Sequence, residues 1–262
     1  MKAWHFIGIL LPLLGCSHGS PADYEVHTQN AKNSPMTKAE TPRPIQKEAA
    51  PEQATINQQQ SVKKNKALLN VPLIKQNPEL KYGCEVTSLA MMLKYAGADT
   101  DKMRLYQEIK KDNDPIKRTA RGDILSWGNP AEGFVGDMTG RQAGYAVFDK
   151  PMVELTNRYL PGRAFNLTGR DFNEVLGHVS AGYPVVVWTT GDYRLPDRWE
   201  SWTHGKEVIK TPLDLHAVVL VGFNENTVYI NDPLSGRKQV PVNKQKFIET
   251  WKVMQSRAVS YK

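Results

Sequence analysis

The chain has 262 residues, a formal net charge of +7, 23% charged residues and only two cysteines. Two cysteines are too few for a disulfide-stapled scaffold. No apolar run of the ~18 residues that form a membrane-spanning helix occurs, which excludes a polytopic membrane protein. Within residues 67–262, 26 basic side chains face 22 acidic ones without a long Lys/Arg stripe, so nucleic acid is not expected as a partner.

Residues 1–16 have the pattern of an export signal. Lys2 gives a basic start, Phe6–Leu14 is a short apolar stretch, and the segment ends in Leu-Leu-Gly-Cys at Cys16. The stretch is too short to span a bilayer and is typical of a signal peptide. The last four residues resemble the bacterial lipoprotein box, which implies that Cys16 is lipidated and anchors an exported protein to a membrane. An ordinary secretory signal with an incidental Cys16 is the alternative.

Residues 17–66 form a second compositional region, which contains five Pro and six Gln but no Leu, Phe or Trp. So few large apolar side chains cannot offset the entropy lost on ordering, so this segment is expected to be a disordered tether. Residues 67–262 remain as one foldable domain.

The periodicity of residues 67–262 predicts helices first and mainly a sheet afterwards. The expected helices are 84–97, 101–111 with Thr100 as cap, 151–160, and 168–182 with Thr168 and Asp171 as a capping box. The expected strands are 67–74, 163–167, 184–188, 216–223, 227–232 and 238–242, of which the last three form an antiparallel meander. Residues 112–147 are expected to be a long loop region and 191–214 a surface insertion. This order indicates an α+β fold.

Cys84 is a candidate nucleophile because it begins a predicted helix. Backbone N–H groups and the helix dipole at that position favour the thiolate. Gly83 and the polar loop before it predict an accessible helix end. A buried, inert cysteine is the alternative.

His216 is the candidate base. It begins a predicted strand, and Asn231 and Asp232 end the next one, sixteen residues on. Since consecutive strand residues point to opposite faces, only one of the two can face His216; Asp232 is preferred and Asn231 is the rival. The order Cys, His, Asp or Asn is that of papain-like enzymes. Among the other histidines, His178 is expected to be structural or at the surface, and His204 is a weaker rival.

Gln76 is a further candidate for the same site. Gln76, in the loop before the helix, has a side-chain amide that can stabilise a tetrahedral oxyanion together with the backbone N–H of Cys84. A plain loop glutamine is the alternative.

A metal site is not expected, because the cysteine and histidine spacing lacks a zinc pattern, and no cofactor is implied.

Several spaced segments resemble the bacteriocin-processing (family 39) cysteine peptidase-like proteins. They are Leu73–Gln76 with Tyr82–Ala90, Trp127–Pro130 with Gly133–Gly136, His216–Phe223 with Val228–Pro233, and the closing Phe247 and Trp251. The resemblance covers about residues 70–256. It implies a papain-like fold with Cys84 as nucleophile, His216 as base, Asp232 as orienting residue and Gln76 in the oxyanion hole. The chain departs from the transporter-linked members, since it has no membrane domain and no phosphate-binding Gly-Lys-Ser/Thr motif.

The resulting hypothesis is an exported, lipid-anchored thiol hydrolase that cleaves peptide or amide bonds through a thioester. Its substrate would be a peptide or a peptidoglycan peptide. A cell-wall peptide amidase or acyl transferase on the same fold is one alternative. A non-catalytic binding or scaffold lipoprotein is another.

Overall fold

The computed structural model describes residues 65–262. Within these residues the helices are α1 (Cys84–Tyr95), α2 (Lys102–Glu108), α3 (Asp149–Tyr159), α4 (Phe172–Ser180) and α5 (Lys244–Val253). The strands are β1 (Ala67–Leu68), β2 (Lys111–Asp112), β3 (Lys117–Arg118), β4 (Ile124–Ser126), β5 (Phe134–Val135), β6 (Ala164–Asn166), β7 (Val185–Thr190), β8 (Trp199–His204), β9 (Glu207–Pro212), β10 (Leu215–Phe223), β11 (Thr227–Asp232), β12 (Arg237–Asn243) and β13 (Ala258–Tyr261). The predicted signal peptide, lipidation site and nearly all of the predicted tether lie outside the described residues. No helix within 65–262 has the length and apolar content needed to cross a bilayer.

The main sheet is antiparallel and is covered by helices on both faces. Its strand order is β12-β11-β10-β7-β13-β6, and β1 pairs with the end of β10. Because successive strand residues point to opposite faces, Val186 and Trp188 of β7 pack with α1, α2 and α3, whereas Val185 and Val187 pack with α4 and α5. Burial on both faces explains why β7 has a continuous apolar sequence. The predicted α+β class is confirmed.

Helix α1 lies in the core, and its first ten residues, 84–93, are all buried. The sequence predicted one apolar face, but the run from Leu89 to Leu93 is apolar on every side and packs accordingly. The helix ends shortly before Gly97, which has a φ of +88° that glycine adopts without strain. The predicted helix at 84–97 is therefore confirmed.

Some predicted boundaries were wrong for local reasons. The strand expected over 67–74 is only β1, and Pro72 within the remainder cannot donate to a sheet hydrogen bond. Helix α2 is shorter than predicted and is capped by Asp101 rather than Thr100, since Asp101 Oδ1 accepts from two backbone N–H groups of the first turn at 2.8 and 2.9 Å. Thr168 does not cap α4; its hydroxyl contacts the backbone of β13, and Asp171 alone caps the helix.

The segments expected to be loop and surface insertion form a small accessory sheet instead. Strands β8 and β9 pair as a hairpin, and β8 joins β4, so residues 112–147 and 191–214 meet. Trp202 on β8 is buried against Trp127 and Tyr145, with ring centroids 5.8 and 5.4 Å apart. The Trp202 indole N–H donates to the Gly128 carbonyl at 2.8 Å. The inserted hairpin is therefore packed onto the domain.

Candidate functional site

Cys84 is the first residue of α1 and follows the N-cap Gly83. Its residue surface is only 7% exposed, so the prediction of an accessible helix end was wrong. The reason is close packing of the preceding loop: a Cβ added at Gly83 would lie 2.5 Å from Leu80 Cβ. Glycine is needed there to let the loop approach the helix.

The environment of the Cys84 thiol favours its protonated form. Burial is the largest cause that raises the pKa of Cys84 well above its usual value, and the neighbouring carboxyl of Glu85 adds to it. A backbone hydrogen bond from Ala217 acts in the opposite direction but is outweighed. Burial and Glu85 thus oppose the helix N-terminus, which favours the thiolate.

His216 lies near the start of β10 and is buried, with 3% of its surface exposed. Its Nε2 is 2.8 Å from Asp232 Oδ1 at the end of β11. Burial by itself would raise the pKa of Asp232, but the hydrogen bond and charge of His216, together with hydrogen bonds from Ser235 and Leu234, lower it to about 2. Asp232 is therefore ionised next to the imidazole at neutral pH.

Asn231 faces away from His216, as strand alternation requires. Its amide Nδ2 donates to the Val71 carbonyl at 3.1 Å, and its Oδ1 accepts from the Gln239 backbone N–H at 2.9 Å. The side chain ties the segment after β1 to the sheet. Of the two residues left open by the sequence, Asp232 is the one in contact with His216.

Helix α1 and strand β10 meet beside the thiol. The Ser88 hydroxyl, one turn after Cys84, donates to the Ala217 carbonyl at 3.2 Å. The backbone of Ala217 also contacts the Cys84 sulfur, which places the sulfur one residue along β10 from His216. Among the described residues, however, the Cys84 thiol has its side-chain hydrogen bond to Glu85 Oε2, at 3.3 Å, and none to His216.

Gln76 is buried in the loop before α1, and its backbone N–H donates to the Pro233 carbonyl at 3.0 Å. This bond holds the loop against the end of β11, next to Asp232. The side-chain Nε2 donates one hydrogen to the Lys81 carbonyl at 2.8 Å, and Oε1 has no hydrogen-bond partner in residues 65–262. An amide nitrogen has two hydrogens, so a second donor remains on Gln76.

Two buried polar residues of the site were missed by the sequence argument. They are Glu85, which is completely buried, and Ser88. A strictly amphipathic interpretation of α1 would place such side chains at the surface. The continuous apolar run Leu89–Leu93 is the signal that could have indicated a fully buried helix.

The other two histidines of the domain have different surroundings. His178 Nε2 contacts the Tyr261 carbonyl at 2.7 Å, a structural bond between α4 and β13. His204 Nε2 lies 3.2 Å from Asp112 Oδ2, and ligand atoms of Asp112, Glu132 and His204 lie within 4.8 Å of one another. Spacing along the chain did not indicate this group, because the three residues come from distant segments. Its contacts join the hairpin β8–β9 to strand β2, which carries Asp112, and to the turn that carries Glu132.

Known proteins resemble this chain over most of the described residues. Residues 68–259 match the model of the Peptidase_C39 like family. The uncharacterized protein YvpB of Bacillus subtilis is 34% identical over 182 residues, which are 70% of each chain. A crystal structure from Bacillus anthracis, assigned as a C39-like peptidase, is 42% identical, with a TM-score of 0.70 over 76% of this chain and 98% of that one. The resemblance predicted from the Cys84 and His216 segments is confirmed, and the chain belongs to the Peptidase_C39 like family.

Proposed function

We propose that the chain is a thiol hydrolase that cleaves peptide or amide bonds, with Cys84 as nucleophile, His216 as base and Asp232 as the residue that orients it. The observation that carries this proposal is the 2.8 Å contact between His216 and Asp232, next to a cysteine at the N-terminus of a buried helix. An imidazole held by a carboxylate beside a thiol is the arrangement of activated cysteine nucleophiles.

The contact also indicates which nitrogen of His216 would act. With Nε2 occupied by Asp232, Nδ1 is left to accept the thiol proton. The Cys84 sulfur then attacks the substrate carbonyl carbon, and the C=O electron pair moves onto oxygen. Because burial raises the pKa of Cys84, the thiolate depends on transfer of its proton to His216 before the sulfur attacks.

The remaining steps use Gln76, the Cys84 backbone N–H and His216. The free N–H of Gln76 and the Cys84 backbone N–H are the donors proposed for the oxyanion. When the C–N bond breaks, the imidazolium gives its proton to the leaving amine, and a thioester remains on Cys84. Water, deprotonated by His216, hydrolyses that thioester and restores the thiol.

We further propose that the protein acts outside the cytoplasm, anchored by lipid on Cys16. The Leu-Leu-Gly-Cys sequence after the short apolar stretch supports this proposal. The substrate class proposed for that location is a peptide or the peptide of the cell wall.

The decisive experiment measures alkylation of Cys84 by iodoacetamide at pH 6 in the full chain, read by mass spectrometry of the Cys84 peptide. Replacement of His216 by Ala should slow alkylation by ~10²-fold, the lower range of general-base effects. His178→Ala is the matched control, since that imidazole contacts only structural groups, and it should leave the rate unchanged. Equal rates in all three proteins would refute the assigned roles.

Turnover is tested separately on short peptides and on purified peptidoglycan peptides, with Cys84→Ala as the inactive reference. Cys84-dependent release of an amine supports the hydrolase and identifies its substrate class. Transfer of an acyl group to an added amine in place of water would indicate the acyl transferase.

Burial of the thiol is the observation that favours a non-catalytic binding lipoprotein as the second candidate. That candidate predicts alkylation no faster than for free cysteine and no Cys84-dependent product.

A further inference from the structure

Glu85 follows the proposed nucleophile in the chain and is 0% exposed. Its Oε1 accepts a hydrogen bond from the Val147 backbone N–H at 3.2 Å, and its Oε2 is 3.3 Å from Cys84 Sγ. The carboxyl is thus held in place by one bond and directed at the sulfur by the other. Glu85 has no role in the mechanism proposed above.

Within the described part of the chain, the charged and titratable groups around Glu85 include no counter-ion for it. No Lys, Arg or His nitrogen among residues 65–262 lies within 4.0 Å of its carboxyl. The Cys84 thiol contacts the Glu85 carboxyl directly. The charge of Glu85 also acts on the phenol of Tyr145, which lies in the loop before α3. Arg257, whose charge also acts on Tyr145, has its Nε 3.6 Å from Asp149 Oδ1. An unpaired buried carboxylate is costly, and accordingly burial raises the pKa of Glu85 to about 7.

Two negative charges 3.3 Å apart in a buried site exclude each other. A Cys84 thiolate can therefore form only while Glu85 holds its own proton. In that state the carboxylic acid has an O–H that can donate to the sulfur. Once ionised, the same group accepts the S–H hydrogen bond and keeps the thiol protonated.

We propose that Glu85 is a further catalytic group that controls the nucleophile. As a neutral acid it donates a hydrogen bond to the Cys84 thiolate. As a carboxylate it keeps the thiol protonated and therefore unreactive. This inference rests on the proposed function in taking the Cys84 sulfur as the reacting atom. The proton that leaves the thiol moves to His216 Nδ1, while the Glu85 proton stays on Glu85 throughout. The enzyme would then work on the acidic side of neutrality and lose its nucleophile above it.

The test is the pH dependence of Cys84 alkylation by iodoacetamide in the full chain, between pH 5.5 and 9. Glu85→Gln keeps a neutral donor and an acceptor at nearly the same size. We expect the wild-type rate to stop rising, or to fall, above pH 7, and the Glu85→Gln rate to continue rising. At pH 8 the variant should react at least ~10-fold faster than the wild type, which corresponds to a thiol pKa lower by one unit. Glu154→Gln, at an exposed position of α3, should follow the wild type.

The proposal would be overturned if the Glu85→Gln profile coincided with the wild type, or if the variant reacted more slowly at every pH. Should that variant not fold, infrared spectra of the wild type give a second measurement. A protonated carboxyl band should be present at pH 6, vanish by pH 8.5, and shift when Cys84 is alkylated. Absence of the band at pH 6 would equally overturn the proposal.

Alkylation needs no turnover, so the two proposals fail separately. A protein with the expected alkylation profiles but no Cys84-dependent product would retain control by Glu85 and lose the hydrolase function. Cys84-dependent hydrolysis with an alkylation profile unaffected by Glu85→Gln would do the reverse.

Discussion

A single buried carboxyl, Glu85, also makes folding stability depend on pH. Burial raises its pKa from 4.5 to about 7. Between these values the folded state keeps a proton that the unfolded state has lost, so stability falls as pH rises through the window.

Glu85→Gln should therefore stabilise the protein at pH 8 by about 3 kcal/mol, which is the cost of ionising the buried group. The gain should vanish below about pH 4.5, where Glu85 is protonated in both states. Urea unfolding at several pH values measures the difference. A variant no more stable than the wild type at pH 8 would contradict the raised pKa.

Gln76 provides a second test at this scale. Removing one oxyanion donor typically costs ~10²-fold in kcat, so Gln76→Ala should lower the kcat of Cys84-dependent hydrolysis by that factor. The exposed Gln142→Ala is the control. A fully active Gln76→Ala enzyme would remove Gln76 from the proposed mechanism.

The site residues differ in how far sequence could predict them. The contact between His216 and Asp232 follows from strand alternation and from the order of β10 and β11 along the chain. The burial of Cys84 does not, because it depends on Leu80 packing against Gly83 and on β10 covering the start of α1. The second of these contacts joins residues 129 positions apart, Ser88 and Ala217.

At the scale of elements, helix α1 and strands β7, β10 and β11 were predicted, whereas helix α5 and strands β8, β9 and β13 were not. The elements that were predicted contain long apolar runs or an apolar pattern that the sequence shows directly. Strands β2, β3 and β5 have two residues each, so their pattern cannot differ from that of a loop. Strand β3 pairs with β4, which joins the hairpin β8–β9, whereas β2 and β5 pair with each other.

Trp202 is the side chain that fixes this hairpin to the domain. It is 2% exposed, so Trp202→Ala should destabilise the protein by about 3 kcal/mol. The loss should be concentrated in residues 199–212, whose backbone amides should exchange with solvent ~10²-fold faster.

Trp199 on the same strand is 45% exposed and supplies the control. Trp199→Ala should change stability by no more than ~0.5 kcal/mol. Equal effects of the two substitutions would show that Trp202 does not hold the hairpin.

For the whole molecule, the outstanding proposal is the lipid anchor. Cys16→Ser removes the only thiol of the Leu-Leu-Gly-Cys sequence. We expect it to abolish incorporation of labelled palmitate and to move the protein from the membrane fraction to the soluble one. Cys84→Ser is the matched control and should leave both unchanged. Retention of Cys16→Ser in the membrane fraction would contradict anchoring through this residue.

The strand that carries His216 has a further consequence for how a peptide could bind. Residues 215–220 of β10 pair with β7 along one edge, and on the opposite edge the Ala217 backbone is engaged by Ser88 and Cys84 of α1. Neither edge of β10 can accept an additional strand at the level of His216. A substrate peptide would then not be recognised by β-augmentation of this strand, in which main-chain hydrogen bonds supply the affinity. Selectivity would instead depend on the side chains that flank the scissile bond.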